Sequence, residues 1–319
     1  MTYILLVAGF GLLLFGGEAL VRGSVAVARR FNLSPLLIGL TLVGFGTSTP
    51  ELVTSIQAAM IGSPGIAVGN VVGSNICNIL FILGIAAIIQ PLRADPAAFA
   101  RDGTVLALSA AICGAFVAVG HLGRLAGTVL VSCLAAYVIF TFLRERRMPD
   151  ASATLHAEEA SAADPGPRSL LLALIFTFGG IGMTVLGADL LVDAAVFLAR
   201  AYGVSETVIG LTIVAVGTSL PELVTSLVAA VRRQPDVAFG NVVGSNIFNA
   251  LGILGVTALV QPIPIPTEIL RLDLWVMLAA TALLIVFTVT GWRLNRIEGG
   301  VFLGFYAAYL GALAFMAAA

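Results

Sequence analysis

Thr47-Ser48-Thr49-Pro50-Glu51-Leu52-Val53-Thr54-Ser55 returns later in the chain as Thr218-Ser219-Leu220-Pro221-Glu222-Leu223-Val224-Thr225-Ser226, with one residue changed and a constant offset of 171. The same offset carries Gly69-Asn70-Val71-Val72-Gly73-Ser74-Asn75-Ile76 onto Gly240-Asn241-Val242-Val243-Gly244-Ser245-Asn246-Ile247, Asn78 onto Asn249, and Gln90-Pro91 onto Gln261-Pro262. Each copy sets a single carboxylate in an apolar run. An ionisable group inside a membrane segment is costly and marks an ion or substrate path by default. Two copies point to one site built from both halves.

The surrounding composition is that of a membrane protein. Of 319 residues, 59% are hydrophobic and 10% charged, and mean hydropathy is +1.07; a soluble domain carries about 25% charged residues. Apolar stretches recur that can cross about 30 Å of hydrocarbon. They are continuous, whereas a β-barrel would alternate. Net charge of −1 identifies no partner, and all 16 basic residues are Arg. The N-terminus lacks a basic region and a cleavage site and reads as the first span, not a removable signal. Cys77, Cys113 and Cys133 stand singly in apolar surroundings, which indicates packing.

Hydropathy predicts an all-α polytopic protein with ten transmembrane helices, at roughly 3–22, 35–60, 65–89, 103–121, 124–143, 170–199, 206–231, 236–260, 271–291 and 299–317. Residues 1–144 form a first five-helix repeat, with its motif at 44–80, and 169–319 a second, with its motif at 215–251. The polar stretch 145–168 between them, rich in Ala, Pro, Asp and Glu, reads as a cytoplasmic linker. With both termini outside, 13 arginines fall on the inner side and 3 (Arg124, Arg200, Arg271) on the outer, a positive-inside bias. The expected location is the cell (inner) membrane. Five spans per repeat make the second copy enter from the opposite side, so the repeats are inverted. That arrangement is typical of secondary transporters with a midplane site at the repeat interface.

The repeated residues suit a hard cation. On a helix Thr47, Glu51 and Ser55 share one face, as do Thr218, Glu222 and Ser226. Asn70, Ser74 and Asn78 stack likewise in the next span, as do Asn241, Ser245 and Asn249. Carboxylate, hydroxyl and amide oxygens fit Ca²⁺, Mg²⁺ or Na⁺, whereas Zn²⁺ and Cu²⁺ favour His or Cys. A lone Ser or Thr in a membrane helix often only bonds a carbonyl one turn back. Pro50 and Pro221 lack an amide donor and so free the carbonyls of Gly46 and Gly217. Loosened backbone at membrane depth is tolerated where it lines a cavity. Gly69/Gly73 and Gly240/Gly244 let neighbouring helices approach closely. No Arg lies in the second, third, seventh or eighth span to pair with the glutamates. Glu18 is placed to pair with Arg22 four residues on. Two ionised glutamates neutralise one Ca²⁺, and the same cavity can hold monovalent ions through overlapping ligands. Mutually exclusive occupancy of that kind is the minimum requirement for exchange.

The pairs GTSTPELVTS/GNVVGSNICNIL and GTSLPELVTS/GNVVGSNIFNAL resemble the two α-repeats of the cation/calcium exchanger superfamily, specifically its prokaryotic sodium/calcium exchanger (calcium/sodium antiporter) branch. The resemblance spans nearly the whole chain. It implies a central diamond of Glu51, Asn78, Glu222 and Asn249. By the same match Glu51 and Glu222 hold Ca²⁺ chiefly, with Thr47 and Thr218. Ser74, Ser245 and the main-chain carbonyls of Gly44 and Ala215 are implied at flanking Na⁺ sites, with Ser48 and Ser219 as supporting partners. Sliding of spans one and six as a pair is implied too. Some microbial relatives carry Asp where this chain has Asn249, which bears on Na⁺ affinity and stoichiometry.

The resemblance makes the expected function Na⁺/Ca²⁺ exchange by alternating access. Proton/calcium exchangers of the same superfamily typically have Asn where this chain has Thr47-Ser48 and Thr218-Ser219. Hydroxyls there favour Na⁺. A passive channel would normally place its filter in a ring of subunits or an open pore. A membrane-embedded enzyme would need a nucleophile, His base or metal-ligand cluster among its intramembrane polar residues, so no enzymatic activity is expected. No cofactor, nucleic acid or obligate protein partner is expected either. The partners are the lipid bilayer and the transported Ca²⁺ and Na⁺.

Overall fold

The computed structural model describes residues 2–31, 33–147, 167, 169–202 and 215–318. The helices in chain order are α1 (Thr2–Phe31), α2 (Pro35–Ile38), α3 (Gly44–Thr47), α4 (Thr49–Met60), α5 (Pro64–Ile76), α6 (Gly84–Ile89), α7 (Pro96–Ala118), α8 (Arg124–Arg147) and α9 (Leu170–Ala201). They continue as α10 (Ala215–Gly217), α11 (Leu220–Val231), α12 (Pro235–Ile247), α13 (Leu254–Val260), α14 (Thr267–Arg271), α15 (Asp273–Gly291) and α16 (Arg296–Ala318). Among the described residues three π-helical segments, Gly39–Val43, Cys77–Leu83 and Phe248–Ile253, join α2 to α3, α5 to α6 and α12 to α13. Each π turn replaces i→i+4 bonding by a wider loop, and such turns are frequent at functional sites.

Eight described helices are long and apolar enough to cross a bilayer, and the pair Leu36–Thr47 and Thr49–Met60, bent by 44°, makes a ninth if taken as one span. At the expected seventh span, 206–231, the described residues hold α10 and α11; 206–214 lie outside the described residues. Most of the expected linker, 148–166 and 168, lies outside them as well. The first span corrects its sequence-based limit: α1 continues past residue 22 to Phe31. Arg22, Arg29 and Arg30 therefore sit on the helix and not in a loop. Burial of Val25, Val27 and Ala28 explains the extension, and long arginine stems tolerate such positions. The all-α reading also gains four two-residue strands, β1 (Leu92–Arg93), β2 (His121–Leu122), β3 (Ile263–Pro264) and β4 (Arg293–Leu294).

The chain divides into two compact units, each drawn from both sequence halves: Met1–Glu51 with Val138–Ser245, and Leu52–Tyr137 with Asn246–Ala319. In the first unit α1 lies antiparallel to α9 along a seam of small residues. A Cβ on Gly9 would fall 2.8 Å from the Gly187 carbonyl, one on Gly16 2.8 Å from the Thr184 amide, and one on Gly23 2.5 Å from the Thr177 amide. Contacts step up one helix as they step down the other, which fixes the direction. Gly9 and Gly16 correspond to Gly180 and Gly187 at the 171-residue offset, so the seam is self-complementary, as a two-fold axis requires. Backbones this close gain packing energy, which drives helix association in lipid.

In the second unit, β1 pairs antiparallel with β4 (Leu92 opposite Leu294), and β2 with β3 (Leu122 opposite Ile263). Helix α7 runs from the β1 end to the β2 end, and α15 from the β3 end to the β4 end. These offset-related helices therefore run in opposite directions, as α1 and α9 do in the other unit. Another matched pair holds this unit. Tyr137 Oη donates to Asp102 Oδ1 at 3.0 Å, and Tyr309 Oη to Asp273 Oδ1 at 2.8 Å. Asp102 also receives a two-pronged contact from Arg101, at 2.6 and 2.8 Å.

Candidate cation site

Both glutamates belong to the first unit, and both sit just after a helix break. Helix α3 ends at Thr47; Ser48 leaves helical geometry at ψ 11°, and α4 restarts at Thr49 with Pro50 beside it. Ser219 does the same at ψ 9° before α11, with Pro221 in its first turn. A proline fits the first turn of a helix because its missing N–H has no partner there anyway. The local sequence thus sets a restart one turn from each carboxylate. Helix N-termini favour negative charge, which offsets part of the cost of burying an ionised carboxylate at Glu51 and Glu222.

The two breaks exchange hydrogen bonds. Ser48 Oγ donates to Glu222 Oε1 at 2.7 Å, and Ser219 Oγ to Glu51 Oε1 at 3.2 Å. The two bonds are equivalents of each other at the 171-residue offset. Glu51 and Glu222 are 1% and 0% exposed, and their charges are close enough to interact. Glu222 Oε2 has no hydrogen-bond partner among the described residues. A buried carboxylate oxygen in that condition calls for a ligand, and a cation would relieve the repulsion between the two acids at the same time.

The remaining expected site residues fall into place unevenly. Thr47 is buried, and its hydroxyl lies 3.1 Å from the Val43 carbonyl, 3.3 Å from the Gly44 carbonyl and 3.2 Å from Asn241 Oδ1. Ser245 Oγ donates to the Gly44 carbonyl at 3.2 Å, so two expected Na⁺ ligands are in contact. Thr218 is half-buried, and its hydroxyl makes no hydrogen bond among the described residues. Ala215 opens α10, and its side chain lies outside the described residues. Close approach of α12 to the first half of span two is as the glycines predicted. A Cβ on Gly240 would lie 2.6 Å from the Leu36 carbonyl and one on Gly244 2.0 Å from that of Leu40. Around Gly69 and Gly73 nothing among the described residues comes within 4 Å of such a Cβ.

Asn78, Asn249 and Ser74 are buried in the second unit. Both asparagines fall inside π turns, Asn78 in Cys77–Leu83 and Asn249 in Phe248–Ile253. Asn78 Nδ2 donates to Asn246 Oδ1 at 3.2 Å; among the described residues Asn78 Oδ1 and both amide atoms of Asn249 have no hydrogen-bond partner. Asn75 Nδ2 donates to the Asn246 carbonyl at 3.3 Å. Asn75 and Asn246 are thus offset equivalents in contact with each other. Sequence reasoning passed over this pair, although both stand in the repeated GNVVGSNI. It also passed over Asp102 and Asp273, which share the 171-residue offset. Among the described residues no three of His, Cys, Asp and Glu cluster; the donors are oxygen throughout, the chemistry of hard cations.

Fold and burial pattern define a multi-pass helical membrane protein with paired carboxylates in its interior. The model of the sodium/calcium exchanger protein family matches residues 1–143 and 172–315. The chain belongs to that family. It is 33% identical to the sodium/calcium exchanger MaX1 of Methanosarcina acetivorans over 352 aligned positions, covering 97% of each chain. It is also 33% identical to the inner membrane protein YrbG of Escherichia coli, over 91% of this chain and 88% of the relative. The solved structure of the sodium–calcium exchanger NCX_Mj soaked without Na⁺ and Ca²⁺ superposes with a TM-score of 0.83 at 33% identity, covering 98% of both chains. Structures of NCX_Mj soaked with Na⁺ and Ca²⁺ or with Na⁺ and Sr²⁺ match as well.

Proposed function

We propose that the chain is a secondary antiporter that exchanges Na⁺ for Ca²⁺ across the membrane by alternating access. The reciprocal pair of hydrogen bonds, Ser48 to Glu222 and Ser219 to Glu51, carries the proposal. It ties the two repeated motifs into one cluster of two carboxylates. Each serine hydroxyl donates to one oxygen of the opposite motif's carboxylate, which sets the two acids in one polar cluster. Two negative charges match one Ca²⁺, and bidentate carboxylates would supply about four of its six to eight oxygens. Thr47, Thr218, Ser74, Ser245, the Gly44 and Ala215 carbonyls and the amides of Asn78 and Asn249 are proposed to complete the Ca²⁺ and Na⁺ ligand sets. Asn249 brings no charge, so the proposed site has two acids and two amides.

Symmetry supports the proposed transport cycle. Offset-related helices run in opposite directions, which supports ten spans in two inverted five-helix repeats. Such repeats alternate access by moving one substructure against another around a fixed midplane site. The glycine seam joins α1 and α9 as a pair, in keeping with their moving together. The arginine distribution favours the linker inside, both termini outside, and the cell membrane as location. The relatives' names support a Na⁺/Ca²⁺ exchanger and neither a channel nor an enzyme. Proton coupling is the competing reading. ⁴⁵Ca²⁺ uptake into proteoliposomes loaded with Na⁺, beside vesicles loaded with choline under a pH gradient, decides between them. Uptake that needs internal Na⁺ is the expected result; uptake driven by the pH gradient alone would overturn the Na⁺ assignment.

A further inference from the structure

Asn241 makes three hydrogen bonds around the breaks, yet it stands outside the ligand set. It is fully buried on α12. Its Nδ2 donates to Ser226 Oγ at 2.9 Å and to the main-chain carbonyl of Glu222 at 3.2 Å, and its Oδ1 lies 3.2 Å from Thr47 Oγ1, whose one hydrogen it shares with the Val43 and Gly44 carbonyls. The two donor bonds fix the amide's orientation, because a flipped amide would set Oδ1 against the Glu222 carbonyl. One side chain therefore fastens the break of the first motif to the turn that carries the glutamate of the second.

We propose that Asn241 is a positioning residue for the cation site, holding Thr47 and Glu222 in register so that their oxygens meet the transported ion together. The inference rests on the proposed Na⁺/Ca²⁺ reading of that site. The physical need is specific. Ser48 already anchors the Glu222 side chain at Oε1, but a side-chain anchor alone leaves α11 free to rotate about its axis. Bonds to the Glu222 carbonyl and to Ser226, one turn on, remove that freedom. The Thr47 bond then sets where this fixed helix stands relative to α3. Selectivity among hard cations depends on cavity size and ligand rigidity, and sub-ångström looseness in supporting groups is enough to spoil a constellation of ligands.

Asn70 makes the matching bond to Ser55 Oγ at 3.0 Å, but the Thr218 hydroxyl, the counterpart of Thr47, makes no hydrogen bond among the described residues. The tether through Asn241 joins Thr47 and Glu222.

The test is a double-mutant cycle on purified full-length protein, with Ca²⁺ and Na⁺ binding followed by isothermal titration. Asn241→Leu and Thr47→Val should each weaken both ions about fivefold or more, since the first removes three buried hydrogen bonds and the second the shared bond together with a proposed ligand. Together they should weaken binding by clearly less than the product, because the two residues share a bond. Unchanged affinities, or effects that multiply, would overturn the proposal, since a purely structural asparagine would shift thermal stability without coupling to Thr47. Asn241→Ala substitutes if the leucine variant does not fold. Glu51→Gln run in parallel separates the two ideas: its retention of full Ca²⁺ affinity would refute the site, whereas its loss beside an uncoupled Asn241 would refute only the positioning role.

Discussion

Ser48 Oγ donates a 2.7 Å hydrogen bond to Glu222 Oε1, joining residues 174 apart in sequence across two helix breaks. Its offset equivalent, Ser219 to Glu51, is longer at 3.2 Å. Hydrogen bonds to a charged group are worth about 1.5–3 kcal/mol. Ser48→Ala should therefore raise the half-saturating Ca²⁺ concentration about tenfold or more, and Ser219→Ala should raise it less. Initial ⁴⁵Ca²⁺ uptake rates against external Ca²⁺ check the order; equal or reversed effects would break the link between bond length and role.

The seam between α1 and α9 makes a stability prediction. A Cβ on Gly180 would lie 2.5 Å from the Leu20 amide, whereas around Gly11 nothing lies within 4 Å. Overpacking against backbone costs about 1–3 kcal/mol or more. Gly180→Ala should lower the unfolding temperature of detergent-purified protein by several degrees, and Gly11→Ala should leave it within a degree. A tolerated Gly180→Ala would mean that the helices are not held at this distance.

Asp102, 2% exposed and bonded to both Arg101 and Tyr137, belongs to a clamp remote in sequence from the repeated motifs. Tyr137→Phe removes a hydrogen bond to a charged acceptor and should cost about 1.5–3 kcal/mol of stability. The ratio of Na⁺ to Ca²⁺ affinity should stay constant. A changed ratio would give the clamp a part in ion selection.

Much of this was legible before the fold. The repeated nonapeptide disclosed the glutamates, Pro50 and Pro221 disclosed the breaks, and Gly240 with Gly244 disclosed the close approach to span two. The π turns around Asn78 and Asn249 were hidden. No propensity separates a π turn from an α turn, and it is tertiary packing that widens the ring. The crossing of Ser48 to Glu222 was hidden for another reason: a two-fold axis pairs unlike positions of the motif, and sequence order does not say which. The end of α1 was misjudged because Arg22 looks like a boundary. Glu18 pairs with it at 2.6 Å and keeps it on the helix.

Glu18 also meets Arg232, with Arg232 Nε 2.9 Å from Oε2. The groups are partly exposed, at 26% and 43% of their side-chain surface. Such pairs are worth about 0–1 kcal/mol. Glu18→Gln should shift transport rates less than about fivefold and should leave Ca²⁺ affinity unchanged. A larger effect in flux assays would place this ion pair in the transport cycle.

The central claim is that Glu51 and Glu222 share one divalent ion. Isothermal titration of Ca²⁺ into the purified protein, without Na⁺, tests it most directly. One Ca²⁺ per chain in the native protein, lost in Glu51→Gln and equally in Glu222→Gln, is the predicted result. Two Ca²⁺ per chain, or one that survives either substitution, would contradict a shared site.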